Sequence, residues 1–281
     1  MCVRNSFDLI SNSISSYGKW PECDDLSTLF ARFAHHNDDL VLDIGANIGA
    51  CTLSLLLDTE ARVIAFEPGP DNLFYLTSSL LALREMLPEV AQRARLYPLA
   101  MGDARRVEVL HGARGNAGHS VIGRVEAGTE GEFEGAQQIQ VNTLDEVLWP
   151  RVQRNDTLYY PPSVAMLKLD VEGYECNALR GMRALLCARA VRSLKVEVFD
   201  HALRQQGCSG LALQQMLVEA GFLLYLEPPE PAGLRRPQAP PQPFDAGTLY
   251  NNNYNIYAVL ENELRRPHLR RRHGLRRCRQ L

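Results

Sequence analysis

The chain has 281 residues, 46% hydrophobic and 22% charged, with a formal net charge of −3. That apolar fraction can close a sizeable core unaided and excludes a disordered chain. No apolar run approaches the ~20 residues a membrane-spanning helix needs. The first residues carry Asp8 among Ser and Asn where a signal peptide would be continuously apolar, so a cytoplasmic location is expected.

Seven cysteines (Cys2, Cys23, Cys51, Cys176, Cys187, Cys208, Cys278) are odd in number and widely spaced, with no C-x-x-C pair. They read as buried thiols in a reducing compartment, against a disulfide framework or a zinc cluster. The net charge hides a partition. The segment from Leu264 to Leu281 holds eight arginines and no acid, which leaves the rest of the chain at −11.

In chain order, Asp24 to about Asn37 places Leu26, Leu29, Phe30 and Phe33 at helical spacing behind Asp and Ser caps. A strand is expected at Leu40–Ile44, a helix from Gly49 through Leu57, and a strand at Arg62–Phe66. A long helix follows from Asp71 to about Met86, then a third strand at Arg95–Ala100. This alternation argues a parallel sheet with helices on its faces. After a short strand at Arg106–Leu110, residues 111–136 are rich in Gly and read as a long loop. Strands are expected again at Gln138–Val141, Val164–Leu169, Val191–Phe199, Phe222–Leu226 and Asn255–Leu260. Helices lie at 172–186 and 211–220. The Pro-rich stretch around 228–244 cannot belong to a central strand. The expected organisation is an N-terminal extension (1–23), one α/β domain (24–262) and an Arg-rich tail (263–281).

Val41-Leu42-Asp43-Ile44-Gly45-Ala46-Asn47-Ile48-Gly49 is a buried strand ending in an acid, a tight glycine turn and a helix entered at a second glycine. Glycine there lets a ligand approach the backbone, and the N–H groups of the following helix face it. Glu67, ending the next strand, suits the two hydroxyls of a ribose. A dinucleotide site needs a middle glycine for the pyrophosphate, and Asn47 occupies that position, which disfavours a dinucleotide-dependent oxidoreductase. S-adenosylmethionine, with a ribose, a cationic sulfonium and no phosphate, fits an acidic turn better. A second constellation, Leu167-Lys168-Leu169-Asp170-Val171-Glu172-Gly173-Tyr174-Glu175, puts Lys168, Asp170 and Glu172 on one strand face. Three charges there are costly unless they meet partners or a cleft. Glu197, in Lys195-Val196-Glu197-Val198, repeats the pattern. Glu172 and Glu175 also suit the cap of the next helix.

LDIGANIG, AFEP, NTLDEVL, LKLDVEGYE with LRGM, and KVEV occur in an order that resembles the FkbM family of S-adenosylmethionine-dependent methyltransferases, over roughly residues 40–260. The resemblance implies the Rossmann-like class I methyltransferase fold, a mostly parallel seven-stranded sheet with an antiparallel last strand at Asn255–Leu260. It also implies O-methylation of a hydroxyl on a sugar, polyketide or similar small molecule. By motif position it implies that Asp43, Gly45, Asn47 and Gly49 line the methionine end of the cofactor, Glu67 the ribose, and the segment with Asp103 the adenine. The loop with His119 resembles a family segment near the catalytic face.

Methyl transfer needs alignment of the acceptor oxygen and help in removing its proton. The candidate bases are Asp170, Glu172, Glu197 and His119, with Lys168 to lower a hydroxyl pKa or anchor an anion. No third carboxylate stands at a spacing that completes a metal site with Asp170 and Glu172, so no metal is expected. The tail lacks aromatics that would stack on bases, so nucleic acid is not an expected partner. The alternative reading is a catalytically silent relative acting through its basic tail as an adaptor or RNA-associated factor.

Overall fold

The computed structural model describes residues 1–4, 8–113, 120–123, 125, 133–149, 161–229, 243, 244, 247, 249 and 253–264. His119, most of the Pro-rich stretch and the tail beyond Leu264 lie outside the described residues.

The strands are β1 (Leu40–Ile44), β2 (Arg62–Phe66), β3 (Ala94–Tyr97), β4 (Ala100–Met101), β5 (Arg106–Ala113), β6 (Val121–Ile122), β7 (Phe133–Asn142), β8 (Val164–Leu169), β9 (Val191–Val198), β10 (Phe222–Tyr225) and β11 (Tyr254–Leu260). Helices that position the site are α1 (Leu9–Tyr17), α2 (Leu26–Phe33), α3 (Ala50–Asp58), α4 (Pro70–Met86), α5 (Pro88–Ala91), α6 (Leu144–Leu148), α7 (Glu175–Gly181) and α8 (Arg183–Cys187). Beyond them come α9 (Asp200–Gln205), α10 (Gly210–Glu219) and α11 (Glu261–Leu264).

Seven strands form one sheet in the order β10-β11-β9-β8-β1-β2-β3. The pairs β9–β8, β8–β1, β1–β2 and β2–β3 are parallel, and β11 runs antiparallel to both neighbours. Strands β1 and β8 are buried at every position, as expected of central parallel strands covered on both faces. Leu42, Ile44, Leu167, Leu169 and Leu194 pack on one face with α7, α8 and α10. Val41, Val63 and Met166 pack on the other with α2 and α3, where Leu26, Leu29, Phe30 and Phe33 are all buried.

Two motif residues hold this frame together rather than the site. Asp145, in NTLDEVL, accepts from the Ala184 and Leu185 amides at 2.7 and 2.9 Å and so caps α8. A Cβ at Gly181, in LRGM, would collide with the Gly102 carbonyl oxygen, so glycine lets α7 close on that turn.

Three expectations change. The third strand ends at Tyr97, and Ala100–Met101 joins a second sheet of order β4-β7-β5-β6. Part of the expected 111–136 loop is ordered as strand: β5 runs to Ala113, β6 pairs with it, and β7 begins at Phe133. The cysteines are not all thiols. Cys23 is bonded to Cys51 and Cys176 to Cys208, pairs 28 and 32 residues apart that spacing could not match because the partners meet only after the sheet assembles. These bonds run against the reading of the cysteines as reduced thiols. No helix among the described residues is long and apolar enough to cross a membrane.

Candidate active site

A cavity of about 300 Å³ opens at the carboxyl edge of β1, β2, β8 and β9. Ligands of open α/β sheets bind at this edge, where the chain passes from strand to helix and leaves amides and side chains unburied. Gly45, Asn47, Glu67, Lys168, Asp170 and Glu197 all line it, and so does Glu172.

The two sequence motifs meet here backbone to backbone. Gly45 has φ +83, and a Cβ on it would collide with the carbonyl oxygen of Asp170. Only glycine satisfies both the left-handed turn and that approach. The Asp170 amide in turn donates to the Ile44 carbonyl at 3.1 Å. Asn47 (φ 52) and Glu172 (φ 51) are non-glycine residues in the left-handed region, and both face the cavity. Backbone held in that region at a binding site is a recurrent mark of function.

Glu67 is 5% exposed. Its carboxylate accepts from the Asn47 amide at 2.9 Å, the Gly69 amide at 2.8 Å and Asn72 Nδ2 at 3.2 Å. A carboxylate has about four lone-pair sites, so roughly one direction is left for a ligand hydroxyl. Burial raises the Glu67 pKa, against the pull of those donors. Asp43 is fully buried behind the loop. It accepts from Thr52 Oγ1 at 2.6 Å and does not line the cavity. Gly49 (φ +91) also lies behind, where a Cβ would strike Leu76. Asp103 pairs with Arg106 at 2.6 Å and lies off the cavity lining.

Lys168 is the charge centre. Its ammonium lies 3.0 Å from Asp170, 3.7 Å from Asp43 and 3.2 Å from the Gly45 carbonyl oxygen. Burial opposes its charge, but Asp170 and Asp43 outweigh that and raise its pKa. For Asp170, burial likewise opposes ionisation, and Lys168 more than offsets it, so the carboxyl stays below its ordinary value. Glu197 is the opposite case. Burial, then the charges of Asp170 and Glu172, push it well up. One of its oxygens accepts from Asn253 Nδ2 at 2.7 Å, while the other is buried without a donor. Burial thus favours the protonated form of Glu197, and Lys168 favours the charged form of Asp170.

Carboxylate oxygens of Asp170, Glu172 and Glu197 lie within 4.8 Å of one another. The third carboxylate, which sequence spacing did not reveal, comes from β9, and the ammonium of Lys168 supplies local positive charge. Glu175, which read equally as a helix cap, is 1% exposed and folds back to accept from the Val171 and Gly173 amides at 3.0 and 3.2 Å. It shapes the turn that carries Asp170, and burial pushes it up to about 8.

Sequence reasoning missed Trp20, Glu22, Asn72 and Asn253, all of which line the cavity. None belongs to a motif: Asn72 comes from the first turn of α4, just beyond Glu67, and the other three are brought in by packing of distant segments. Lys195 is the visible hinge of one such contact: its ammonium binds the Glu22 carbonyl at 2.7 Å and both Asp25 oxygens at 2.8 and 3.0 Å.

The strand order, the antiparallel seventh strand and a cavity at the carboxyl edges define a class I, Rossmann-like methyltransferase domain. More particularly, residues 43–224 match the methyltransferase FkbM domain, and the chain belongs to that family. It is 30% identical over 164 residues to the hexuronic acid methyltransferase AglP of Haloferax volcanii, covering 57% of this chain and 56% of the relative. It is 27% identical over 211 residues to the AMB antimetabolite synthetase AmbE of Pseudomonas aeruginosa, covering 66% of this chain and 10% of the relative. The chain therefore spans little over half the length of the first relative and a tenth of the second. Among solved structures it is similar to methyltransferase FkbM from Methylobacillus flagellatus, with a TM-score of 0.48 and 18% identity, covering 83% of this chain and 47% of that one.

Proposed function

We propose that this chain methylates a hydroxyl oxygen of a small molecule or sugar, with S-adenosylmethionine as methyl donor. The observation that carries the reading is the Lys168–Asp170–Glu197 group, which shares one cavity with the Gly45 turn and Glu67. The lining suits a cationic cofactor without phosphate. It is rich in carboxylates, Glu67 offers an acceptor for a ribose hydroxyl, and Gly45 lets a ligand reach the backbone. When bound, S-adenosylmethionine supplies a methyl group that is electrophilic without further activation.

The residues of the chain do the rest. Gly45, Asn47 and Glu67 hold the cofactor, with Asp43 and Gly49 fixing their turn from behind. Asp170 takes the proton of the acceptor hydroxyl as the oxygen–carbon bond forms, and Glu197 tempers the charge on Asp170 by hydrogen bonding. Lys168 keeps Asp170 ionised. A positioned base contributes roughly 10²–10⁴-fold and alignment up to about 7–11 kcal/mol.

Titration calorimetry with S-adenosylhomocysteine tests the first half: the folded chain is expected to bind it, and no detectable binding would sink the reading. Glu67→Ala is expected to weaken that binding. Equal affinity in wild type and variant removes Glu67 from the ribose site.

A further inference from the structure

A buried polar face of α4 finds its partners in residues 1–4. Asn72, Tyr75 and Ser79 recur at helical spacing on α4, and Asn72 and Ser79 are buried. Ser79 Oγ accepts from the Cys2 amide at 2.8 Å, and Asn72 Oδ1 accepts from Arg4 Nη2 at 2.7 Å. The Arg4 guanidinium lies over the Tyr75 ring, 5.2 Å from its centroid. The backbone of Arg4 is fixed as well. Its amide donates at 3.0 Å to Ser11 Oγ in the first turn of α1, which Asp8 caps. Leu9 and Ile10 of the same turn line the cavity, and so does Asn72.

Asn72 carries this contact on to Glu67. Its Nδ2 donates to Glu67 Oε1 at 3.2 Å, and the Gly69 amide donates to the same oxygen at 2.8 Å. Among the described residues, Glu67 Oε2 takes one donor, the Asn47 amide at 2.9 Å. Each carboxylate oxygen has about two lone-pair sites. Oε1 is therefore filled, and Oε2 keeps one direction for a ligand.

We infer that Arg4 is a positioning residue for the cofactor: by holding Asn72 it keeps Glu67 Oε1 occupied and presents Oε2 to a ribose hydroxyl. This rests on reading the cavity as a site for S-adenosylmethionine.

An amide side chain has a donor end and an acceptor end, and the end that faces Glu67 decides whether the contact attracts or repels. A guanidinium carries donors alone, so Arg4 meets Oδ1 and leaves Nδ2 to face the carboxylate. A bond from a charged donor is stronger than a neutral one and polarises the amide, which makes Nδ2 the better donor. Glu67 depends on such donors because burial opposes its charge and Asp43 adds to that opposition. Without Arg4, the Oδ1 of this buried side chain loses its donor, and turning toward water, away from Glu67, becomes favourable.

The test is calorimetry with S-adenosylhomocysteine on the full chain, in a cycle of Arg4→Met, Asn72→Ala and the double variant. Arg4→Met is expected to weaken binding about 3–10-fold, the worth of one hydrogen bond, and Asn72→Ala at least as much. In the Asn72→Ala background, Arg4→Met is expected to change affinity by less than about 2-fold, because its route to Glu67 is gone. Arg4→Lys keeps a charged donor and is expected to fall between wild type and Arg4→Met. It runs the same cycle if Arg4→Met does not fold. Wild-type affinity in Arg4→Met removes Arg4 from the site and overturns the proposal. Losses that multiply in the double variant also overturn it, because Arg4 then only braces the segment that carries α1. Failure of the wild-type chain to bind S-adenosylhomocysteine is a different result and removes the methyltransferase reading beneath it.

Discussion

Lys168 and Asp43 face one another in register across β8 and β1, and the Lys168 ammonium lies 3.7 Å from Asp43 Oδ1. The row continues through Lys195 on β9 to Tyr257 on β11. Lys195 is held by Asp25, as is the Tyr257 hydroxyl. A polar line therefore crosses the middle of an apolar sheet, and Lys168 within it lines the cavity. Lys168 connects Asp43, behind the loop, to Asp170, which lines the cavity.

That connection makes Lys168 structural as well as chemical. Lys168→Met is expected to destabilise the fold by about 3–5 kcal/mol, because it leaves Asp43 buried without its counter-charge. Denaturant unfolding reads this directly. A loss below about 1 kcal/mol, the worth of a surface pair, would show that water reaches Asp43.

Asp170 and Glu197 are expected to part company under neutral substitution. Asp170→Asn removes the proton acceptor and is expected to lower turnover ~10²–10⁴-fold, with S-adenosylhomocysteine affinity largely kept. Glu197→Gln mimics the protonated carboxyl and is expected to keep most activity near neutral pH. Wild-type activity should fall at high pH as Glu197 loses its proton, and Glu197→Gln should not show that fall. Single-turnover methyl transfer across pH checks both; equal losses in the two variants contradict a protonated Glu197 beside an ionised Asp170.

Glu175 gives a pH signature in stability. Its folded-state pKa is raised from 4.5 to about 8 by burial. Between those values the folded chain holds a proton that the unfolded chain has released. The unfolded state then binds fewer protons, and stability drops as pH rises through that window. Glu175→Gln keeps a neutral acceptor for the Val171 and Gly173 amides and is expected to flatten the slope. Thermal melts between about pH 5 and 8 compare the two chains, and identical slopes would mean that Glu175 is ionised when folded.

Two disulfides among the described residues each brace a motif. Cys51 follows the Gly45 turn, and Cys176 follows Glu175. Cys23→Ser is expected to lower stability by about 2–4 kcal/mol and to weaken cofactor binding by loosening the head of α3 that follows the Gly45 turn. Alkylation of the unreduced protein followed by mass spectrometry is expected to leave Cys23, Cys51, Cys176 and Cys208 unlabelled. Labelling of all four would return them to thiols.

Gly45→Ala is expected to abolish S-adenosylhomocysteine binding. The new methyl meets the Asp170 carbonyl and the backbone must leave its left-handed turn. Calorimetry on the folded variant checks this, and retained affinity would place the ligand away from the turn.

Much of this was legible before folding, for local reasons. Periodicity marks β1, β2, β8 and β9 because buried parallel strands read as apolar runs. Gly45 and Glu67 stand out because a turn and a strand-end acid leave a short-range signature. The 111–136 stretch was less legible: β6 is two residues long and pairs across a hairpin, so it has too little pattern to show.

The sequence alone determined the class of domain, the two motifs and the residues able to do acid–base chemistry, since strand period, turn glycines and strand-end charges are local properties. Tertiary structure decided what each of those residues does. It put Asp43 and Gly49 behind the site, paired Asp103 with Arg106 away from the cavity, and tied Lys168 to both Asp43 and Asp170. It brought Glu197 beside Asp170 and Glu172, joined Cys23 to Cys51 and Cys176 to Cys208, and drew Trp20 and Glu22 into the cavity lining. Charge state, disulfide pairing and cavity lining depend on distances between segments far apart in the chain, and those distances exist only once the sheet has assembled.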